Sequence, residues 1–142
     1  MSEEALTEEL LEELRNRPDL RSFVEEKDLS EVSFADCLNK FLNKKKLERK
    51  DVIHATNLNE THVYQMFSGQ RNASRNKVLQ IALALKLDLK QTNQLLHSAG
   101  VSSLYCKDRR DAIIIFCIEN SYDLQKTDDE LYRFEEDTLS NE

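Results

Sequence analysis

An all-α fold is predicted by three features of this 142-residue sequence. It holds two Gly and one Pro, too few for the turn every ~8–12 residues that an all-β sandwich needs. Apolar residues recur at three- and four-residue spacing along most of the chain. Ser, Asn and Asp stand just before several of those runs, where their short side chains cap orphan N–H groups. With 39% hydrophobic and 33% charged residues, the composition excludes collagen-like, low-complexity and disulfide-scaffold classes. No apolar stretch approaches the ~20 residues of a membrane span, and the acidic start Met1-Ser2-Glu3-Glu4 has no signal-peptide core. Cys37, Cys106 and Cys117 are odd in number and widely spaced. They read as reduced thiols of a cytoplasmic protein rather than as a disulfide set or a zinc site.

The elements follow in order. Leu6, Leu10 and Leu14, with Leu11 alongside, give an amphipathic helix whose other face is Glu-rich. Pro18 suits the first turn of a second short helix bearing Leu20, Phe23 and Val24. Together these predict an acidic helical extension over residues 1–32. Ser33 with Asp36 reads as a capping box, and Phe34, Leu38, Phe41 and Leu42 continue a helix to about Leu47. A short helix from Glu48 or Arg49 to Thr56 follows. Asn57-Leu58-Asn59 is a turn, with Asn57 suited to the left-handed conformation and Asn59 to an N-cap. The next helix runs from Glu60 to a stop at Gly69. Ser74 caps a helix to about Lys86, and Asp88 caps another that ends before Gly100. Residues 33–100 thus form the central domain.

Residues 101–142 contain the one ambiguous run, Ala112–Ile118, whose Ile content also suits a strand. Moving the chain by 35 positions places Ser74–Leu96 on Arg109–Leu131, so that Arg75 meets Arg110, Asp88 meets Asp123 and Leu96 meets Leu131. The match predicts a second helical hairpin. Its apolar helix is either the C-terminal core or a subunit interface.

Charge is segregated along the chain. The net is −8 over residues 1–37, +7 over 38–90 and −6 over 91–142. A basic middle within an acidic protein can still contact phosphate, because local charge sets those contacts.

The segment from Leu47 to Leu89 carries the functional signal. Its residues are Leu47-Glu48-Arg49-Lys50-Asp51-Val52-Ile53, Asn57-Leu58-Asn59, Val63-Tyr64-Gln65-Met66-Phe67-Ser68-Gly69, Arg71, Ser74 and Val78–Leu87. This pattern resembles the helix-turn-helix domain of the lambda-repressor/Cro family, also called the XRE family, over about residues 34–98. Glu48, Ile53, Asn57 and Phe67 depart from the usual family pattern. The resemblance implies a bacterial, sequence-specific, DNA-binding transcriptional regulator. It assigns base reading to Glu60, Thr61 and Gln65, with His62 and Tyr64 nearby. It assigns phosphate contact to Arg49, Arg71, Asn72 and Arg75. The chemistry agrees: Gln can bond adenine twice, Glu can accept from cytosine, and the Thr methyl can touch thymine. The implied partners are double-stranded DNA and a second copy, with Leu6/Leu10/Leu14 and Ala112–Ile118 as candidate interfaces. An antitoxin- or adaptor-like interaction module, holding a protein partner through its N- or C-terminal helices, is the alternative. Catalysis finds little support: His54, His62 and His97 are isolated, and no phosphate loop or nucleophile elbow is present. No metal and no cofactor are expected.

Overall fold

The computed structural model describes residues 33–140. The extension expected over residues 1–32, with its leucine stripe, lies outside these. The described residues form seven helices and no strand: α1 Phe34–Lys44, α2 Arg49–Ala55, α3 Glu60–Ser68, α4 Arg75–Ala84, α5 Leu89–Ser98, α6 Arg109–Glu119 and α7 Leu124–Arg133. None of them is long and apolar enough to cross a membrane. The ambiguous run Ala112–Ile118 is helical.

Caps set the helix starts. Ser33 Oγ accepts from the Asp36 amide, Asn59 from His62, Asp88 from Gln91, Asp108 from Asp111 and Asp123 from Lys126. Each bond satisfies an N–H that the helix cannot. At α2 the Glu48 amide donates to the Asp51 carboxylate over 2.8 Å.

All the described helices except α2 end with one device. At α1 the Leu47 amide donates to the Leu42 carbonyl and the Lys46 amide to that of Asn43. This pair of bonds needs a left-handed residue just past the helix, and Lys46 has φ 57°. Gly69, Lys86, Gly100, Ser121 and Glu135 fill the same place after α3, α4, α5, α6 and α7, all at positive φ. The helices expected to reach about Leu47, Lys86 and Glu136 therefore stop at Lys44, Ala84 and Arg133. Asn57, expected in the left-handed region, is absent from the positive-φ residues. Its turn is held otherwise: the Thr56 hydroxyl accepts from the Leu58 amide, and Asn57 itself bonds outside the turn, as described below.

The 35-residue repeat is structural. Moved by 35, Leu89–Ser98 becomes Leu124–Arg133, Lys86 becomes Ser121, and Gly100 becomes Glu135. A shift of 40 places Lys86 on Lys46, Asp88 on Glu48 and Leu89 on Arg49, so α1–α2 repeats the same helix, left-handed residue, cap, helix connection.

One hydrophobic cluster runs from Phe34 and Leu38 through Val63, Val78 and Leu96 to Ile114, Leu131 and Leu139. In it α1 packs on α3 and α5, α2 on α3 and α4, and the α6–α7 hairpin on α5 and α4. The α6–α7 hairpin shares the core of the central helices.

Non-glycine residues at the left-handed position cost about 1–2 kcal/mol, partly offset by the greater chain entropy that Gly loses on folding. Ser121→Gly and Glu135→Gly are each expected to raise the unfolding free energy by about 0.5–1 kcal/mol. Chemical denaturation checks this, and a loss of stability in both would contradict the turn assignment.

Candidate nucleic-acid interface

Helix α3 is built to expose one edge. Val63, Met66 and Phe67 are buried, which leaves Glu60, Thr61 and Tyr64 facing outward. Thr61 and Gln65 are one turn apart on the same face. Gln65 is half-buried, and its Oε1 is a buried acceptor without a protein partner. Such an acceptor is costly unless a donor reaches it.

Cations bracket this edge. Arg49, exposed at the start of α2, lies with its guanidinium carbon 5.8 Å from the centre of the Phe67 ring on α3. Arg71 and Asn72 are exposed in the loop after Gly69. Arg71, and Lys77 on α4, both act on His62: with partial desolvation as the largest cause, they hold its pKa below the ordinary value. The neutral form of His62 is thereby favoured. On the inner side of α3, Asn39 Nδ2 donates to the Ala35 and Phe67 carbonyls over 2.8 and 2.9 Å, tying the end of α3 to α1. Among the described residues, no three His, Cys, Asp or Glu side chains group as a metal site.

Arg75 stands apart from the other sequence-assigned contacts. Its guanidinium turns inward, donating to both oxygens of Asp111 over 2.8 Å and to the Ser102 and Ser103 carbonyls over 3.0 Å. Asp111 is 5% exposed and also accepts from the Tyr105 amide. These bonds commit four of the five guanidinium N–H groups to the protein, so this arginine has little left for a phosphate. Sequence alone does not pair Asp111 with Arg75, because it sits 36 positions away, between Arg110 and the apolar run Ala112–Ile118. Its one signal was the helical period, which puts Asp111 on the same buried face as Ile114 and Ile118. Arg110, the repeat counterpart of Arg75, bonds the Asp137 and Thr138 carbonyls and Asn76 Oδ1 instead.

Comparison with protein-family models, curated proteins and solved structures finds no match.

Burial pushes the Asp111 carboxyl up, but the hydrogen bonds from Arg75 and Tyr105 outweigh it and hold it below the usual carboxylate value. A depressed native pKa stabilises the fold fully above the unfolded value near ~4 and loses that contribution as pH falls through the native one. Asp111→Asn strands the guanidinium and is expected to cost about 2–4 kcal/mol at pH 7. The variant should also lose less stability than the parent between about pH 4 and pH 2. Denaturation across that range tests it; equal acid sensitivity in both chains would remove Asp111 from the acid-labile set.

Proposed function

We propose that this chain is a sequence-specific double-stranded-DNA-binding regulator of the XRE type. The observation that carries the reading is the exposed edge of α3, lying between the exposed cations Arg49 and Arg71. A helix of this width fits the major groove, and residues near its start meet base edges. Glu60, Thr61 and Gln65 are the base-reading groups of this proposal. Gln65 would satisfy its buried acceptor by turning toward a base donor. Arg49, Arg71 and Asn72 contact phosphates, which fix register without reading sequence. Arg75 leaves that set and becomes a structural latch behind the loop. The α2–α3 pair, the left-handed stop at Gly69 and the packing of α4 on α2 support the reading.

Binding data on selected and random duplexes separate the two roles. Gln65→Ala and Thr61→Ala are expected to lose about 1–3 kcal/mol on the selected duplex and little on random DNA. Arg49→Ala and Arg71→Ala should weaken both duplexes alike and reduce the salt slope by about one unit each. Equal losses on both duplexes for Gln65→Ala would remove the base-reading role. No binding at low salt would remove the function.

One observation favours a second reading, a protein-interaction module. Phe116 and Tyr132 are 56% and 79% exposed on the C-terminal hairpin. Phe116 borders an open apolar groove with Ala112, Ile113, Tyr122 and Phe134. Exposed apolar patches of this kind mark interaction sites. A second copy seated there would give the two-fold dimer that half-site recognition uses. Sedimentation of the parent at tens of micromolar should then show a dimer, and Phe116→Ser a 16.6 kDa monomer. A parent that is already monomeric, with and without DNA, would leave the groove to another protein.

A further inference from the structure

We infer that the C-terminal strap Asp137–Ser140 is a positioning element for α3, acting through Gln80 and Asn57. The inference rests on the reading of α3 as the base-reading helix. Along the sequence, Asp137-Thr138-Leu139-Ser140 reads as a polar tail. In the fold, Leu139 is fully buried in the common core. Five hydrogen bonds then close a ring around it. Gln80 of α4, 2% exposed, donates from Nε2 to the Leu139 carbonyl over 2.7 Å. Its Oε1 accepts from the Asn57 amide over 3.4 Å. Asn57 Nδ2 donates to Ser140 Oγ over 2.9 Å. Ser140 Oγ donates to one oxygen of Asp128, on α7, over 2.6 Å, and the Leu139 amide donates to the other over 2.7 Å.

The ring joins the α2–α3 turn, the middle of α4, the middle of α7 and the strap. Arg110 of α6 clamps the strap from the other side through the Asp137 carbonyl, over 2.9 Å. Asn57 lies two residues before Asn59, the N-cap of α3. Whatever holds Asn57 therefore sets where the first turn of α3 begins. A base-edge hydrogen bond tolerates only a few tenths of an ångström of donor–acceptor misfit. Specific binding consequently depends on the strap more strongly than phosphate binding does. Gln80 and Asn57 touch no base in this scheme; they are positioning residues.

The test compares Gln80→Met and Ser140→Ala with Cys117→Ala, all in the full-length chain. Met keeps the volume of Gln80 and removes both of its bonds. Ser140→Ala removes the bridge at the mild end, and Cys117→Ala lowers stability from a buried site on α6 outside the ring. Two readouts are taken: amide exchange at Asn57, Leu58 and Leu95, and the ratio of selected-duplex to random-duplex affinity. Gln80→Met and Ser140→Ala should speed exchange at Asn57 and Leu58 by about tenfold relative to Leu95, the effect of one lost hydrogen bond. The affinity ratio should fall about fivefold or more, as expected when α3 is no longer held in register. Cys117→Ala should raise exchange at all three amides together and leave the ratio unchanged. Exchange at Asn57 rising no more than at Leu95 overturns the inference, as does an unchanged ratio in both strap variants. A parent chain that binds no duplex removes the base-reading role of α3, and the exchange readout alone then decides whether the strap holds the turn.

Discussion

The bidentate bond between Arg75 and Asp111 is the constraint on which the arrangement of this chain depends. It joins the first residue of α4 to the first turn of α6, and its spare donors hold the Ser102 and Ser103 carbonyls of the segment between them. Asn93 on α5 completes the fixation by accepting from the buried Leu104 amide over 2.9 Å. A connection of ten residues between α5 and α6 would otherwise carry unpaired backbone into a partly buried place. Because the segment is pinned, the α6–α7 hairpin can press Ile114, Ile118 and Leu131 into the core that α1–α5 share. The strap after α7 can then reach the α2–α3 turn.

Much of the fold was legible in the sequence because local physics dominates it. Apolar spacing, Asn59, Asp88 and Asp123 as caps, and Gly69 as a stop all act within a few residues of themselves. The second hairpin was legible for the same reason, since a repeat copies local signals at a fixed offset. The ends of α1, α4 and α7 were not. Each stops at a left-handed Lys or Glu where glycine would have announced the stop. Those residues accept the strain because the turn that follows buries or anchors the next residue; Leu87 after Lys86, for example, is 5% exposed. The third copy of the connection, α1–α2, was hidden because Glu48 and Arg49 replace the Asp-Leu pair of the other two copies.

The candidate site divides along the same line. The resemblance assigns Thr61, Gln65, Arg49 and Arg71 from a local pattern, and they lie on α3 or near it. Arg75 shared that pattern but bonds a residue 36 positions away. No local signal distinguishes an arginine that faces solvent from one that finds a distant carboxylate. The bonds between Gln80 and Asn57 were not legible for the same reason: Gln80 sits within an apolar helix, and its partners come from residues 57 and 139. Asn57 and Phe67 acquire physical roles here. Asn57 supplies a side-chain donor to Ser140 that a glycine would lack. Phe67 gives the Arg49 guanidinium a ring to lie against.

The acidic balance of the C-terminal third also acquires a local meaning. Asp108 and Asp123 spend their charge on helix-start amides, which favours them through both hydrogen bonding and the helix dipole. Asp111 is neutralised by Arg75, and Asp128 is turned into the strap. Glu130 and Glu136 lie against Arg133 and Arg109. All of these carboxylates except Asp111, whose partner Arg75 lies in the basic middle, are partnered within their own segment, and exposed charge more than a Debye length away, ~8 Å at physiological salt, is largely screened. The net charge of −7 is therefore a poor guide to what the α3 surface attracts. Near α3 the charges are local ones: Arg49 beside Phe67, Arg71 and Lys77 near His62, and the exposed Glu60 on the edge itself.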